Sequence, residues 1–203
     1  MSPKFLVISD IHGSKKSLNK INAAFHKYDP DFSVLCGDIT HFGKQEEAVD
    51  ILDKIPTDDV LGVIGNCDPE NIMHAYEEIG GEYIELKKVE RRGLSFIGLS
   101  GSNYSQEKVD AFEDRSKGID VFVFHQPPYG ILDKASGNKH IGSKKLLPVV
   151  EENRPKLVLS GHVHEDRGIM EKESTVYMNP GPAADDNLGL VKIEDENVKA
   201  KLI

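Results

Sequence analysis

Five apolar runs in this 203-residue chain each end in a side chain of a metal-binding type. The run 5–9 is followed by Asp10-Ile11-His12, and the run 32–36 by Gly37-Asp38. The run 60–64 leads to Gly65-Asn66, 121–124 to His125, and 157–160 to Gly161-His162-Val163-His164. Runs of this kind read as buried strands, and in open α/β sheets sites form beyond the carboxyl ends of the strands. The pattern therefore predicts that Asp10, His12, Asp38, Asn66, His125, His162 and His164 converge on one place. A set of carboxylate, amide oxygen and imidazole suits Mn²⁺, Fe, Ni²⁺ or Zn²⁺, and lacks the thiolates of a structural zinc site. Seven donors are too many for one open catalytic ion. They suit two divalent ions that share a bridge, about 3.5–4 Å apart. A carboxylate, with two oxygens and a negative charge, is the natural bridging group. Gly37, Gly65 and Gly161 sit beside the donors, where tight turns and close backbone approach are needed.

The elements that must position these residues alternate. Strands are expected at 5–8, 32–35 and 60–64, and helices after Ser14 as an N-cap, over 44–54 and around 70–78. The helix after Ser14 carries Leu18, Ile21, Asn22 and Phe25 at helical spacing and ends at Asp29-Pro30. The second half begins with an expected hairpin over 83–100, turned at Arg91-Arg92-Gly93. A helix over 105–116, a strand over 119–124, a helix over 143–152 and a strand over 156–159 follow. From Gly168 the chain reads as short antiparallel strands, with turns at Glu173-Ser174 and Asp185-Asp186-Asn187. The rhythm indicates an α/β fold with a mixed sheet or two sheets. With no repeat, low-complexity segment or long linker, residues 1–203 read as one domain.

Composition narrows the function. Lys and Arg number 25 against 34 Asp and Glu, a formal charge of −9. Such a balance argues against a general nucleic-acid or membrane-surface binder, since both rely on cationic attraction. No apolar run approaches the roughly 18 residues of a membrane span, and the first residues are too few for a signal-peptide core. Two cysteines, Cys36 and Cys67, make no disulfide framework, so a reducing, cytoplasmic setting is expected. A homodimer is compatible with the sequence. The chain has no Trp to serve as a stacking platform.

The ordered set Asp10-x-His12, Gly37-Asp38, Gly65-Asn66, His125 and Gly161-His162-x-His164 resembles the calcineurin-like metallophosphoesterase family. Gly37-Asp38-Ile39-Thr40-His41-Phe42-Gly43 is similar to that family's second motif, and Met178-Asn179-Pro180-Gly181-Pro182 to a late loop of its small members. The resemblance covers about residues 4–182 and lies in five blocks in the family's order. It implies a four-layer α-β-β-α sandwich of two mixed sheets flanked by helices. It also implies that Asp10, His12 and His164 hold one metal ion, that Asn66, His125 and His162 hold another, and that Asp38 bridges them. A metal-bridging hydroxide would then attack phosphorus in line, hydrolysing a small phosphate ester, a phosphodiester before a monoester.

One block departs from the pattern. Many members carry Gly-Asn-His-Asp/Glu where this chain, like a subset of small prokaryotic members, reads Gly65-Asn66-Cys67-Asp68. The family's His contacts phosphate and protonates the leaving group; Cys67 in that place is a weak donor, which favours good leaving groups such as aryl phosphodiesters. Asp38, Asn66, Cys67, His125 and His162 form the expected catalytic set. Asp68 reads as an N-cap for the helix near Pro69-Glu70, or as a partner orienting a neighbour. His41, three residues beyond Asp38, is a candidate to touch substrate, whereas His26, His74 and His140 have no expected catalytic role. Lys134, Lys139, His140, Lys144 and Lys145 lie on a long segment read as unstructured: a solvated loop, or a basic rim for an anionic substrate. The competing class is a non-catalytic scaffold that keeps the fold for protein interaction. Such a scaffold needs none of the seven ligand types, all of which are intact here. A nuclease is disfavoured by the acidic balance and the short chain.

Overall fold

The parity of the apolar runs sets the layers. In a computed structural model that describes residues 2–203, the first strand, β1 (Lys4–Ile8), sends Phe5 and Val7 to one side and Leu6 and Ile8 to the other. Both sides are covered, as the unbroken apolar run requires. The chain continues through α1 (Ser17–Tyr28), β2 (Phe32–Cys36), α2 (Gln45–Leu52), β3 (Val60–Val63), α3 (Met73–Glu78) and β4 (Glu82–Tyr83). Next come β5 (Val89–Arg91), β6 (Leu94–Leu99), α4 (Gln106–Ser116), β7 (Val121–Phe124) and the small pair β8 (Lys134–Ala135) and β9 (Lys139–His140). The last elements are α5 (Leu146–Asn153), β10 (Leu157–Leu159), β11 (Gly168–Lys172), β12 (Thr175–Asn179), β13 (Gly189–Glu194) and β14 (Asn197–Leu202).

Two six-stranded sheets result, in the orders β14-β13-β1-β2-β3-β4 and β11-β12-β10-β7-β6-β5. Each is mixed. Strands β1 to β4 run parallel with β13 antiparallel at β1, and β6, β7, β10 and β12 run parallel with β5 and β11 antiparallel at the edges. Between the sheets lies one core, including Phe5, Val7, Phe32, Val34, Val63, Phe96, Val121, Leu157 and Met178. Leu6, Ile8 and Leu35 on the outer face of the first sheet pack against α1 to α3; Phe122, Phe124 and Val158 of the second pack against α4 and α5. The fold is the four-layer α-β-β-α sandwich.

The expected hairpin over 83–100 is shorter than the pattern suggested. Only β5 and β6 pair antiparallel, whereas β4 pairs parallel with β3 in the other sheet. Residues 84–88 cross between the sheets: Ile84 N–H donates to Gly62 O at 3.0 Å and its own carbonyl accepts from Gly98 N–H at 3.0 Å. An apolar run cannot report which sheet it joins. The tail divides in the same way, since β11 and β12 join the second sheet and β13 and β14 the first, with the turn near Asp186 inside the crossing. Ser14 is not a side-chain cap either. The helix starts at Ser17, and the Ser14 carbonyl accepts the Ser17 N–H at 3.2 Å. The described residues contain no helix long and apolar enough to cross a membrane.

The inter-sheet core centres on three rings. Phe32 stacks on Phe5 with centroids 4.9 Å apart and meets Phe96 edge-on at 5.9 Å, all three being fully buried. Phe32→Ala is expected to destabilise the fold by about 3–5 kcal/mol, the usual cost of a large aromatic cavity. Denaturant unfolding of the two forms would show it as a lower midpoint at similar slope.

Candidate metal centre

The parallel strands β1, β2 and β3 of one sheet, and β7 and β10 of the other, deliver their following loops to the same end of the sandwich. Those loops are joined through the backbone. Asp10 N–H donates to Gly37 O at 3.0 Å, His12 N–H to Asp38 O at 2.9 Å, and Gly13 N–H to Ile39 O at 2.9 Å. Across the other sheet, Gly161 N–H donates to His125 O at 3.0 Å. Four of the seven predicted residues hold left-handed backbone: Asp10 at φ 54°, His12 at 50°, Asp38 at 52° and His162 at 67°. Side chains other than Gly seldom adopt this region, and strain of this kind gathers at functional sites. Two glycines are steric requirements. A Cβ on Gly65 would overlap the Asp38 carboxylate and backbone nitrogen, and one on Gly161 would overlap Ser9 Oγ and Asp10 Oδ2.

All seven residues lie together at this end of the sandwich. His164 Nε2 lies 3.2 Å from Asp10 Oδ1 and 3.4 Å from His12 Nε2, and His12 Nε2 lies 3.8 Å from Asp10 Oδ1. A second group starts at His125 Nε2, 3.1 Å from Asn66 Oδ1 and 3.4 Å from Asp38 Oδ2. The same Asp38 Oδ2 is 3.8 Å from His12 Nε2, so one oxygen faces both groups. His162 meets the His125 ring edge-to-face, centroids 5.0 Å apart at 68°, and its backbone N–H donates to the Asp10 carboxylate. Bonds of about 2.0–2.2 Å to a metal place neighbouring ligand atoms a little over 3 Å apart, so these spacings fit an ion at each group. The Asp10, His12, His164 group and the Asp10, Asp38, His125 group could each hold one. Asp10, Asp38 and His125 are buried, while Asn66 and His164 are exposed, which opens the centre to solvent on one side.

The charges are strongly coupled. Burial alone would raise the Asp38 carboxyl, but its hydrogen bond to His125 and that ring's charge outweigh it and hold Asp38 at about 2. Burial likewise opposes ionisation of Asp10, and His164, His125 and Ser9 reverse it and keep that carboxyl low. For His125 burial pulls down, and the Asp38 hydrogen bond with the Asp10 and Asp38 charges carries the ring up to about 9. Burial and the adjacent His125 charge push His162 down to about 4. The hydrogen bond to Asp10 raises His164. The His125 imidazolium thus stands against the two carboxylates when no ion is bound.

Residues beyond the seven hold them in place. Of its two readings Asp68 takes the second: it orients neighbours and does not cap the following helical turn. Its carboxylate accepts from Ile39 N–H and Gly65 N–H at 3.0 Å, and from Thr40 N–H at 2.8 Å and Thr40 Oγ1 at 3.0 Å, clamping the Asp38 loop to the Asn66 turn. Ser9 Oγ donates to Asp10 Oδ2. Asn179 Nδ2 donates to Val163 O at 2.7 Å, and its Oδ1 accepts from Gly181 N–H at 2.9 Å, so the Asn179-Pro180-Gly181 loop braces the His162–His164 turn. The sequence carried signals for Asp68 and Asn179 in their motifs, and none for Ser9.

Residues 126–145, read as unstructured, are ordered. Buried Asp133 accepts from Gly130 N–H and Gly142 N–H at 3.0 Å and pairs with His140 Nδ1 at 2.6 Å, which holds β8 and β9 in place. His140 is therefore structural. Lys145 Nζ donates to Tyr104 O at 2.8 Å and Lys144 covers the Tyr129 ring, while Lys134 and Lys139 are exposed. His26 and His74 are exposed on α1 and α3. Cys36 is buried in the inter-sheet core, and half-buried Cys67 lies at the centre, its N–H donating to Asp38 Oδ1 at 2.7 Å.

The family model for calcineurin-like phosphoesterases matches residues 3–166. The chain belongs to that family. Its members act on phosphoesters and depend on metal, usually two ions. The uncharacterized protein MJ1162 of Methanocaldococcus jannaschii is 30% identical, over 96% of this chain and 97% of its own. Among solved structures, TT1561 of Thermus thermophilus superposes with a TM-score of 0.74 at 15% identity, covering 99% of both chains. A novel archaeal phosphodiesterase superposes at 0.60 with 16% identity, covering 98% of this chain and 99% of its own. Both likenesses are of fold.

A pH dependence follows from His125. An imidazole must lose its proton to bind an ion. With the ring raised to about 9, it is protonated at pH 7 in the ion-free protein. Ion uptake at pH 7 is expected to release at least about one proton, and affinity to rise with pH until about 9. Calorimetry of Mn²⁺ binding in buffers of different ionisation enthalpy measures this; zero proton release at pH 7 would contradict it.

Proposed function

We propose that this protein is a two-metal phosphoesterase that hydrolyses phosphodiesters in preference to monoesters. The observation that carries the reading is the Asp38 Oδ2 atom, 3.8 Å from His12 Nε2 and 3.4 Å from His125 Nε2. On this reading Asp10, His12 and His164 hold one ion, Asn66, His125 and His162 the other, and Asp38 both. Mn²⁺ is the ion proposed first, with Ni²⁺, Fe or Zn²⁺ as alternatives. When bound, the ions supply acidified water and neutralise phosphoryl oxygens.

The chain's own residues do the rest. Asp10 and Asp38 keep their charge because their carboxyls are held low. His162, pushed down to about 4, is neutral at physiological pH and available as a donor. Burial and the Asp38 charge push the Cys67 thiol up to about 12, so it keeps its proton in the ion-free protein and is no nucleophile there. Set where many family members carry His, it is a poor proton donor. This supports a preference for ester groups that leave unprotonated. The complete donor set argues against a scaffold: protein interaction requires neither seven converging ligand residues nor strained backbone at four of them. Two free cysteines fit a reducing, cytoplasmic setting.

Asp38→Asn removes one of the two charges and the shared oxygen's basicity. It is expected to lower phosphodiester kcat/KM by at least ~10³-fold and to reduce bound metal at both positions, read by elemental analysis. Full activity with full metal content would overturn the bridging role. Cys67→His is expected to raise turnover of alkyl esters relative to aryl esters by about 10²-fold, the low end of a general acid's contribution. An unchanged alkyl-to-aryl ratio would remove Cys67 from the leaving-group side.

A further inference from the structure

We infer that Phe42, with His41, forms an aromatic subsite for an aryl ester group on the phosphate held at the centre; this rests on the phosphoesterase reading above. Phe42 is 67% exposed, against 40% for Ile169 and 36% for Met170, the other large apolar side chains left open among the described residues. A lone exposed Phe on a surface loop is ordinary. This one is held in an unusual way. Its backbone has φ 56°, a region that bulky residues seldom occupy and that Gly or Asn would fill with less strain. Phe42 N–H donates to Cys67 O at 2.8 Å, which fastens the residue to the turn that carries Asn66.

The ring is also continuous with the centre. Phe42 and His41 lie with centroids 5.1 Å apart at 69°, and His41 and His12 at 5.6 Å and 71°. Ring or thiol atoms of His12, His41 and Cys67 all come within 4.8 Å of one another. A row of edge-to-face rings therefore leads from a proposed ligand, His12, out to Phe42. The exposed ring area gains nothing in the free protein, and a planar group laid on it would recover both apolar burial and ring–ring attraction. What adjoins a bound phosphate is its ester substituent, so the group that can reach the row is one attached through an ester oxygen. A planar aromatic substituent fits it and a small alkyl one does not. An aryl oxygen is also the kind of leaving group that the weak donor Cys67 can serve, so the subsite and the departing group are matched.

Two inert phosphonates test this. Benzylphosphonate replaces the ester oxygen of an aryl phosphate by CH₂, and methylphosphonate lacks the ring. Affinities for both are measured by calorimetry on Mn²⁺-loaded protein, without turnover. The benzyl compound is expected to bind about tenfold more tightly to the natural protein. In Phe42→Ala that ratio is expected to fall below about twofold, and in Phe42→Tyr, which keeps a ring, to remain. Taking the ratio within each variant cancels any loss common to both compounds. A ratio near one in the natural protein, or the same ratio in Phe42→Ala, overturns the subsite while leaving the metal-centre reading intact. If the loaded protein binds neither phosphonate, the subsite is overturned, and turnover of an aryl phosphodiester by the same preparation decides the phosphoesterase reading separately.

Discussion

The Asp38 carboxylate is where the demands on this structure meet. Its Oδ2 faces His12 on one side and His125 on the other, and its Oδ1 accepts the N–H of Cys67. His12 follows β1, Asp38 follows β2, Cys67 follows β3 and His125 follows β7, so three neighbouring strands of one sheet and one of the other must end together. That end-on coincidence explains the parallel pairing of β1, β2 and β3. It also explains why the inter-sheet core is filled by large rings and branched side chains that fix the gap between the sheets. A shift in either sheet would separate His12 from His125, and the shared oxygen would face only one of them.

Holding such a centre costs backbone strain and buried charge, and the surroundings offset both. Asp10 and Asp38 are almost wholly buried, and such groups persist ionised only when paired. His125, raised to about 9, pairs with them when no ion is bound, His164 hydrogen-bonds Asp10, and divalent ions would take over that part. The acidic balance of the chain, −9, is thus no guide to the site, where bound ions would be the largest local charges. The left-handed residues are braced by hydrogen bonds that run between loops rather than along them, from Asp68 into the Asp38 loop and from Asn179 into the His162 turn.

Much of this was legible in the sequence, for a reason that can be stated residue by residue. A strand buried on both faces is an unbroken apolar run, so β1, β2, β7 and β10 announce themselves. A polar residue of ligand type directly after such a run has few other reasons to be there, and Asp10, Asp38, Asn66, His125 and His162 all follow that rule. Less was legible where a residue acts through its neighbours. Asp68 before a Pro and a Glu has the pattern of a helix cap, and only the contact with residues 39 and 40 shows that its carboxylate serves the Asp38 loop instead. Asp133, between Leu132 and Lys134, carries no local signal at all, yet its bonds to Gly130, Gly142 and His140 order a segment that composition marks as loose.

The sequence by itself determined the identity and order of the ligand-type residues and the α/β rhythm that delivers them, because both are written as local patterns of two to eight residues. The tertiary structure alone decided which sheet each run joins, which oxygen of Asp38 is shared, which residues take left-handed backbone, and that Phe42 stands exposed beside the centre. Those features depend on pairs such as residues 12 and 164, or 42 and 67, that are distant along the chain. No periodicity or composition relates them. Only the closing of the two sheets over a common core brings them within a few ångströms.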